Sequence, residues 1–151
     1  MENIYTIRVS LDKKTYRDIA IQGEQSLYKF AESIIDSFDF DLDHAFGFFS
    51  NLESPYGSSE ESYELFADME DYEPVQENTK GVEKTKIADV YEQDKKMLFL
   101  FDYGDDWIFM TECIKVQPAT SNDHLPKIIN SVGEAPEQYP DYEDCDDEEA
   151  A

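Results

Sequence analysis

The opening segment IYTIRVSL alternates along its length. Ile4, Thr6, Arg8 and Ser10 fall on one side, and Tyr5, Ile7, Val9 and Leu11 on the other. A period of two predicts a half-buried strand. The polar DKK that follows is a turn, and TYRDIAIQG reads as a second strand ended by Gly23. Strands joined so tightly favour an antiparallel hairpin. The spacing then changes: Leu27, Phe30, Ala31, Ile34, Ile35 and Phe38 recur at helical intervals. They predict a helix over 26–38 with one apolar stripe and Ser26 as its N-cap. AFGFFSN predicts a short aromatic strand near 45–51.

Residues 51–81 break the pattern. ESPYGSSEES is loop-like, and YELFADMEDYEP fits an acidic amphipathic helix through Leu65, Met69 and Tyr72. The segment reads as an acidic insertion with freedom to move. KTKIADVYEQD suggests a short helix. MLFLFDYGDDWIFMTECIKV, within the central 96–117 hairpin, is apolar on both faces and so belongs in the middle of a sheet. QPATSNDHLPKIINSVGEAPEQYP, punctuated by proline, reads as irregular, and 141–151 as a disordered acidic tail. The expectation is a single α+β domain over 1–140, a mainly antiparallel sheet packed against the 26–38 helix.

The 151 residues carry a net charge of −24, which is unevenly spread. Residues 51–77 hold nine acids and no base, and the last eighteen residues hold nine acids and no base. The remainder is a mildly acidic domain. Without clustered Lys or Arg, direct binding to duplex nucleic acid is not expected, nor is an anionic membrane surface. Cys113 and Cys145 have no CxxC or Cys/His spacing. The start MENIYTIRVSLDKK lacks a signal-peptide core, so a reducing cytoplasmic setting and a monomer are expected.

Candidate chemistry is sparse. DFDLD, Asp39 to Asp43, has the alternating aspartates of a calcium loop, but His44 and Ser50 stand where that loop needs Gly and Glu. His44 beside Asp41 and Asp43 is a candidate ligand or base, with no second histidine at ligand spacing. His124 has no motif around it. No nucleophile elbow, P-loop, dinucleotide loop or HExxH occurs, and no cofactor is implied. In FDYGDDW, Gly104-Asp105 fits a two-residue type II′ loop, which would set Asp102 opposite Trp107 and Phe101 opposite Ile108. Asp105 and Asp106 would then be exposed tip residues. Asp102 would share a face with Leu98 and Leu100, partly buried, with turn amides and the Trp107 indole as its donors.

These stretches carry a resemblance. YTIRVSL, TYRDIAI, SLYKFAESIIDSFDFDLDHAFGFFS, TKIADV, LFLFDYGDDWIFMTECIKV and PKIINSVGEAPEQYPDYED resemble the plasmid Ri ORF-three-like proteins, a widespread and uncharacterised family. The D-[YF]-G-D-x-W core is the most specific piece. The resemblance implies an α+β domain with no established activity. It carries over onto Asp102, Gly104, Asp105 and Trp107, and onto His44. Two positions depart from the family pattern: Tyr16-Arg17 replaces a usual Trp-Arg, and Phe109 replaces a usual histidine, which weakens a two-histidine metal or acid/base site.

The first functional reading is therefore a non-catalytic domain binding a protein or other macromolecule. Its candidate residues are His44, Asp102, Asp105, Asp106, Trp107, Tyr16 and Arg17. The second is a divalent-metal-dependent hydrolase or nucleic-acid-processing enzyme using Asp102, Asp105 and His44. An acidic mimic of nucleic acid ranks last, because most of the charge falls in predicted loop and tail.

Overall fold

In the computed structural model, residues 3–68, 79–103, 106–119, 125–136 and 138 are described. The N-terminal alternation becomes β1 (Asn3–Asp12), paired antiparallel with β2 (Thr15–Gln22), Ile7 opposite Ile19. Helix α1 (Leu27–Ser37) follows, and the Ser26 hydroxyl accepts from the Lys29 amide at 3.0 Å. That bond satisfies one of the N–H groups a helix start leaves open. Then come β3 (Phe46–Phe49), β4 (Ser62–Glu64), a 3-10 turn (Leu65–Asp68), α2 (Ile87–Val90), β5 (Lys96–Phe101), β6 (Trp107–Pro118) and β7 (Lys127–Val132).

Among the described residues the strands form one seven-stranded sheet in the order β4-β3-β5-β6-β1-β2-β7, with every neighbouring pair antiparallel. The β5–β6 hairpin holds the middle, as its two apolar faces require. The apolar stripe of α1, Leu27, Phe30, Ala31, Ile34 and Ile35, lies in one core with Ile7, Val9, Ile19, Ile21, Phe48, Phe99 and Phe109. Phe38 leads on to Phe40, and Phe40 to Trp107, with ring centroids 6.4 and 4.9 Å apart. The fold is α+β, but the sheet dominates.

Three readings need correction. Lys127–Val132, where the sequence predicts an irregular segment, is β7. Its residues are largely exposed, so burial imposes no alternation on it. Ser62–Glu64, which spans the end of the expected loop and the first two residues of the expected acidic helix, is a strand that pairs with β3, Phe48 opposite Tyr63. It is too short for periodicity to register. Leu65–Asp68 forms only the 3-10 turn, and the rest of the acidic helix expected there, 69–74, lies outside the described residues. The third correction concerns the central hairpin. Its pairs are Phe101 opposite Trp107 and Leu100 opposite Ile108, one residue from the expected register. The strands thus end five residues apart, and Asp102 stands outside the ladder.

Arg17 fixes the far side of the sheet to the helix. It is buried, its guanidinium lies over the Phe38 ring at 4.6 Å, and Nε donates to the carbonyl of Ser37 at 2.8 Å. Another nitrogen of the same group donates to the carbonyls of Tyr16, Val132 and Gly133. One side chain therefore ties the end of α1 to β2 and β7. Among the described residues, no helix is long and apolar enough to cross a membrane.

Candidate functional site

The connection after α1 and the loop after β5 meet at one end of the sheet. The amide of Asp102 donates to the carbonyl of Ala45 at 2.9 Å, which sets the start of the hairpin loop against the start of β3. The amide of Asp106 then donates to the carbonyl of Asp102 at 2.6 Å, closing the loop on itself. Both aspartates sit at positive φ, +70° and +54°. Asp tolerates that region because its short side chain bonds locally. This is a backbone need that the expected two-residue loop did not include.

Asp102 is 7% exposed, deeper than a hairpin tip. Its Oδ2 lies 3.3 Å from Nε2 of His44, whose side chain is 41% exposed. Nε2 also lies 3.6 Å from Oδ1 of Asp43. The imidazole rests edge-on to Phe101, so a buried carboxylate and an aromatic ring hold it at the surface. Gln138 braces the other side. Its Nε2 donates to the carbonyl of Asp41 and to Oδ1 of Asp43, both at 3.1 Å, while its Oε1 accepts from the Asp41 amide at 2.6 Å.

A second layer covers the sheet face away from α1. Tyr56, from the 51–61 loop, reaches Oδ1 of Asp106 at 2.6 Å and the carbonyl of Tyr103 at 3.0 Å with one hydroxyl. The shorter, charge-assisted bond takes the hydrogen. Tyr103 donates to Oε1 of fully buried Glu64 at 2.8 Å. Burial, reinforced by the Glu64 charge, pushes the Tyr103 hydroxyl far above its ordinary range. Burial also raises Tyr56, with Asp106 adding to it. Both phenols are thus held protonated, as donors.

The structure brings His44, Asp102 and Asp106 to one end, with Trp107 beneath them against Phe40. The Trp107 indole nitrogen is not the donor to Asp102 expected from the sequence. It is buried and makes no hydrogen bond among the described residues. The register explains this: Trp107 pairs with Phe101 and faces the core, whereas Asp102 has left the ladder. Asp105 and Gly104 lie outside the described residues, as do His124 and Cys145. Tyr16 and Arg17 are on β2, three strands across from β5, and do not join the others. Tyr16 instead carries the Arg8 guanidinium over its ring at 4.1 Å.

Tyr56, Glu64, Tyr103 and Gln138 are not singled out in the sequence as members of this site, and Asp43 only as a neighbour of His44. Periodicity has nothing to say about loop residues or about a strand as short as the one that carries Glu64, although Tyr103 stands inside the DYGDDW motif. Among the described residues, no group of three or more His, Cys, Asp or Glu side chains is arranged to hold a metal ion. The open cleft of about 370 Å³ on the outer side of α1, lined by Lys29, Glu32, Ile35, Leu42 and Pro126, contains none of the candidate residues.

Comparison with solved structures finds a protein of unknown function from Methanosarcina mazei Go1. It is similar with a TM-score of 0.68 over 87% of this chain and 70% of that one, at 18% identity. At that identity the likeness concerns the fold. Comparison with curated proteins yields no match. The sequence profile of the plasmid pRiA4b ORF-3-like proteins matches residues 3–149, nearly the whole length, and the chain belongs to that family.

Proposed function

We propose that the chain is a non-catalytic binding module. It recognises a protein or other macromolecular partner at the hairpin end, through His44, Asp102, Asp105, Asp106 and Trp107. The observation that supports this most is the pairing of half-exposed His44 with buried Asp102 at 3.3 Å. An exposed imidazole fixed by a carboxylate beneath it loses little freedom when a partner binds, and preorganisation of this kind favours recognition. Tyr16 and Arg17 belong to the frame in this reading, since their contacts are with Arg8, Phe38 and backbone carbonyls.

A second reading, a divalent-metal-dependent hydrolase or nucleic-acid-processing enzyme, draws on the approach of His44 to both Asp43 and Asp102. Two measurements separate them. Isothermal titration of the whole chain with magnesium, manganese and zinc should give no saturable heat. A saturable signal lost in Asp102→Asn would favour the metal reading instead. A partner captured from source cells and then purified should bind His44→Ala about tenfold or more weakly, the loss of about 1.4 kcal/mol. Equal affinity for the variant would sink the binding proposal.

A further inference from the structure

The connection that carries His44 and the segment after β7 leave from one junction. Arg17 donates to the carbonyl of Ser37, at the end of α1, and to the carbonyls of Val132 and Gly133, at the end of β7. One branch runs on to Asp41 and Asp43. The other passes Ala135, which packs against the core. They meet again where Gln138, only 9% exposed, lies against both aspartates.

Three bonds fix the Gln138 side chain. Its Oε1 accepts from the Asp41 amide at 2.6 Å, and its Nε2 donates to the Asp41 carbonyl at 3.1 Å. One side-chain amide thus serves both backbone groups of a single residue, as a neighbouring antiparallel strand would. The other hydrogen on Nε2 goes to Oδ1 of Asp43, also at 3.1 Å. That same oxygen lies 3.6 Å from Nε2 of His44. Only an amide offers an acceptor and two donors from one planar group. Glutamate would set its charge against the Asp41 carbonyl and the Asp43 carboxylate, and lysine has nothing to accept the Asp41 amide.

Asp43 therefore stands between Gln138 and the imidazole. Its side chain is 44% exposed, and a carboxylate so open to water samples several rotamers unless it is held. We infer that Gln138 is a positioning residue of the hairpin-end site: by holding Oδ1 of Asp43 it sets the carboxylate that flanks His44 opposite Asp102. Asp102 orients the ring from the buried side, and Asp43 from the exposed side. The nitrogen that faces both carboxylates is the one that carries the ring hydrogen. This role rests on the reading of the hairpin end as a recognition surface, but its test needs no partner. Equal binding by His44→Ala would remove that reading, whereas the ring spectrum of His44 judges Gln138 alone.

The test is a nitrogen-15 imidazole spectrum of the whole chain, which has two histidines, with His44 assigned by its loss in His44→Gln. Gln138→Met keeps the length and bulk of the side chain and makes none of the three bonds. In it the Nε2 hydrogen of His44 should exchange with water about threefold or more faster, and the ring resonances should move. Gln138→Asn, too short to serve Asp41 and Asp43 together, should act in the same direction. Asp43→Ala should reproduce the change at His44, and adding Gln138→Met to it should then have no further effect there, because the route through Asp43 is already cut. Three results would overturn the proposal: a His44 ring unchanged in Gln138→Met and Gln138→Asn, full additivity in the double variant, or a change at His44 that comes only with resonance shifts across the whole sheet.

Discussion

The hydroxyl of Tyr103 donates to Oε1 of Glu64 at 2.8 Å, joining the central hairpin loop to a carboxylate that has no solvent exposure at all. A buried carboxylate is expensive unless its oxygens are bonded. The bond therefore fastens the hairpin end to β4, and the segment after β3 becomes part of the site's foundation. Removing the donor as Tyr103→Phe should cost about 1–3 kcal/mol, because the acid stays buried with one partner fewer. Glu64→Gln, which cannot ionise but can still accept, should cost less. Urea denaturation of both variants, with unchanged m-values, checks the order.

Arg17 makes a different kind of junction. Its guanidinium serves the carbonyls of Ser37, Tyr16, Val132 and Gly133, on three separate elements. Arg17→Met keeps much of the apolar stem against Phe38 but leaves those carbonyls without their charged donor. A loss of about 2–4 kcal/mol is expected. Arg17→Lys should recover only part of it, because a single ammonium cannot span the helix end and β7 together. A full recovery by lysine, measured by thermal or urea unfolding, would show that charge alone matters.

How much of this could be read from the chain depended on how regular each element is. β1, β2 and α1 announce themselves because one face of each is buried, and burial writes a period into the residues. The β5–β6 hairpin was legible from its apolar runs, but its register was not. The positive-φ backbone at Asp102 and Asp106 widens the loop, and Asp, unlike Gly, gives little warning of that conformation. β7 is exposed on both sides and carries no period. The site was legible in its motif residues and not in its neighbours. Tyr56 and Gln138 reach it from segments whose only signal is the loop itself.

Alkaline pH should weaken the fold in an identifiable window. Burial raises the Cys113 thiol from 9.0 to about 11, and burial with the Glu61 charge pushes Tyr63 from 10.0 up to about 12. Each folded-state value is raised, so the native state keeps a proton where the unfolded chain has lost it. Stability is then full below pH 9 and falls as pH rises from 9 to 11 for the thiol, and from 10 to 12 for Tyr63. Tyr91 and Tyr103, both raised by burial, extend the loss upward. The urea midpoint followed from pH 8 to 11 should decline, and Cys113→Ala should flatten the first part of that decline. A midpoint constant across this range would contradict the assignment.

Gly133 ends β7 at φ +82°, and a Cβ there would stand 2.3 Å from the carbonyl oxygen of Lys14 and 2.9 Å from Cα of Thr15. Both obstacles are backbone of the β1–β2 turn, so neither can swing aside. Gly133→Ala should therefore cost more than the roughly 1–2 kcal/mol of a left-handed alanine alone. Gly57→Ala is the natural comparison. Its Cβ would meet the side-chain nitrogen of Asn51 at 2.5 Å, the movable end of a side chain, and the expected penalty is smaller. The carbonyl of Gly133 also accepts from Arg17, so the strain should fall first on β7. Hydrogen exchange at residues 127–132 should then accelerate in Gly133→Ala before the core of α1 and β5 responds. Uniform acceleration across the sheet would instead show that β7 and the core open as one unit.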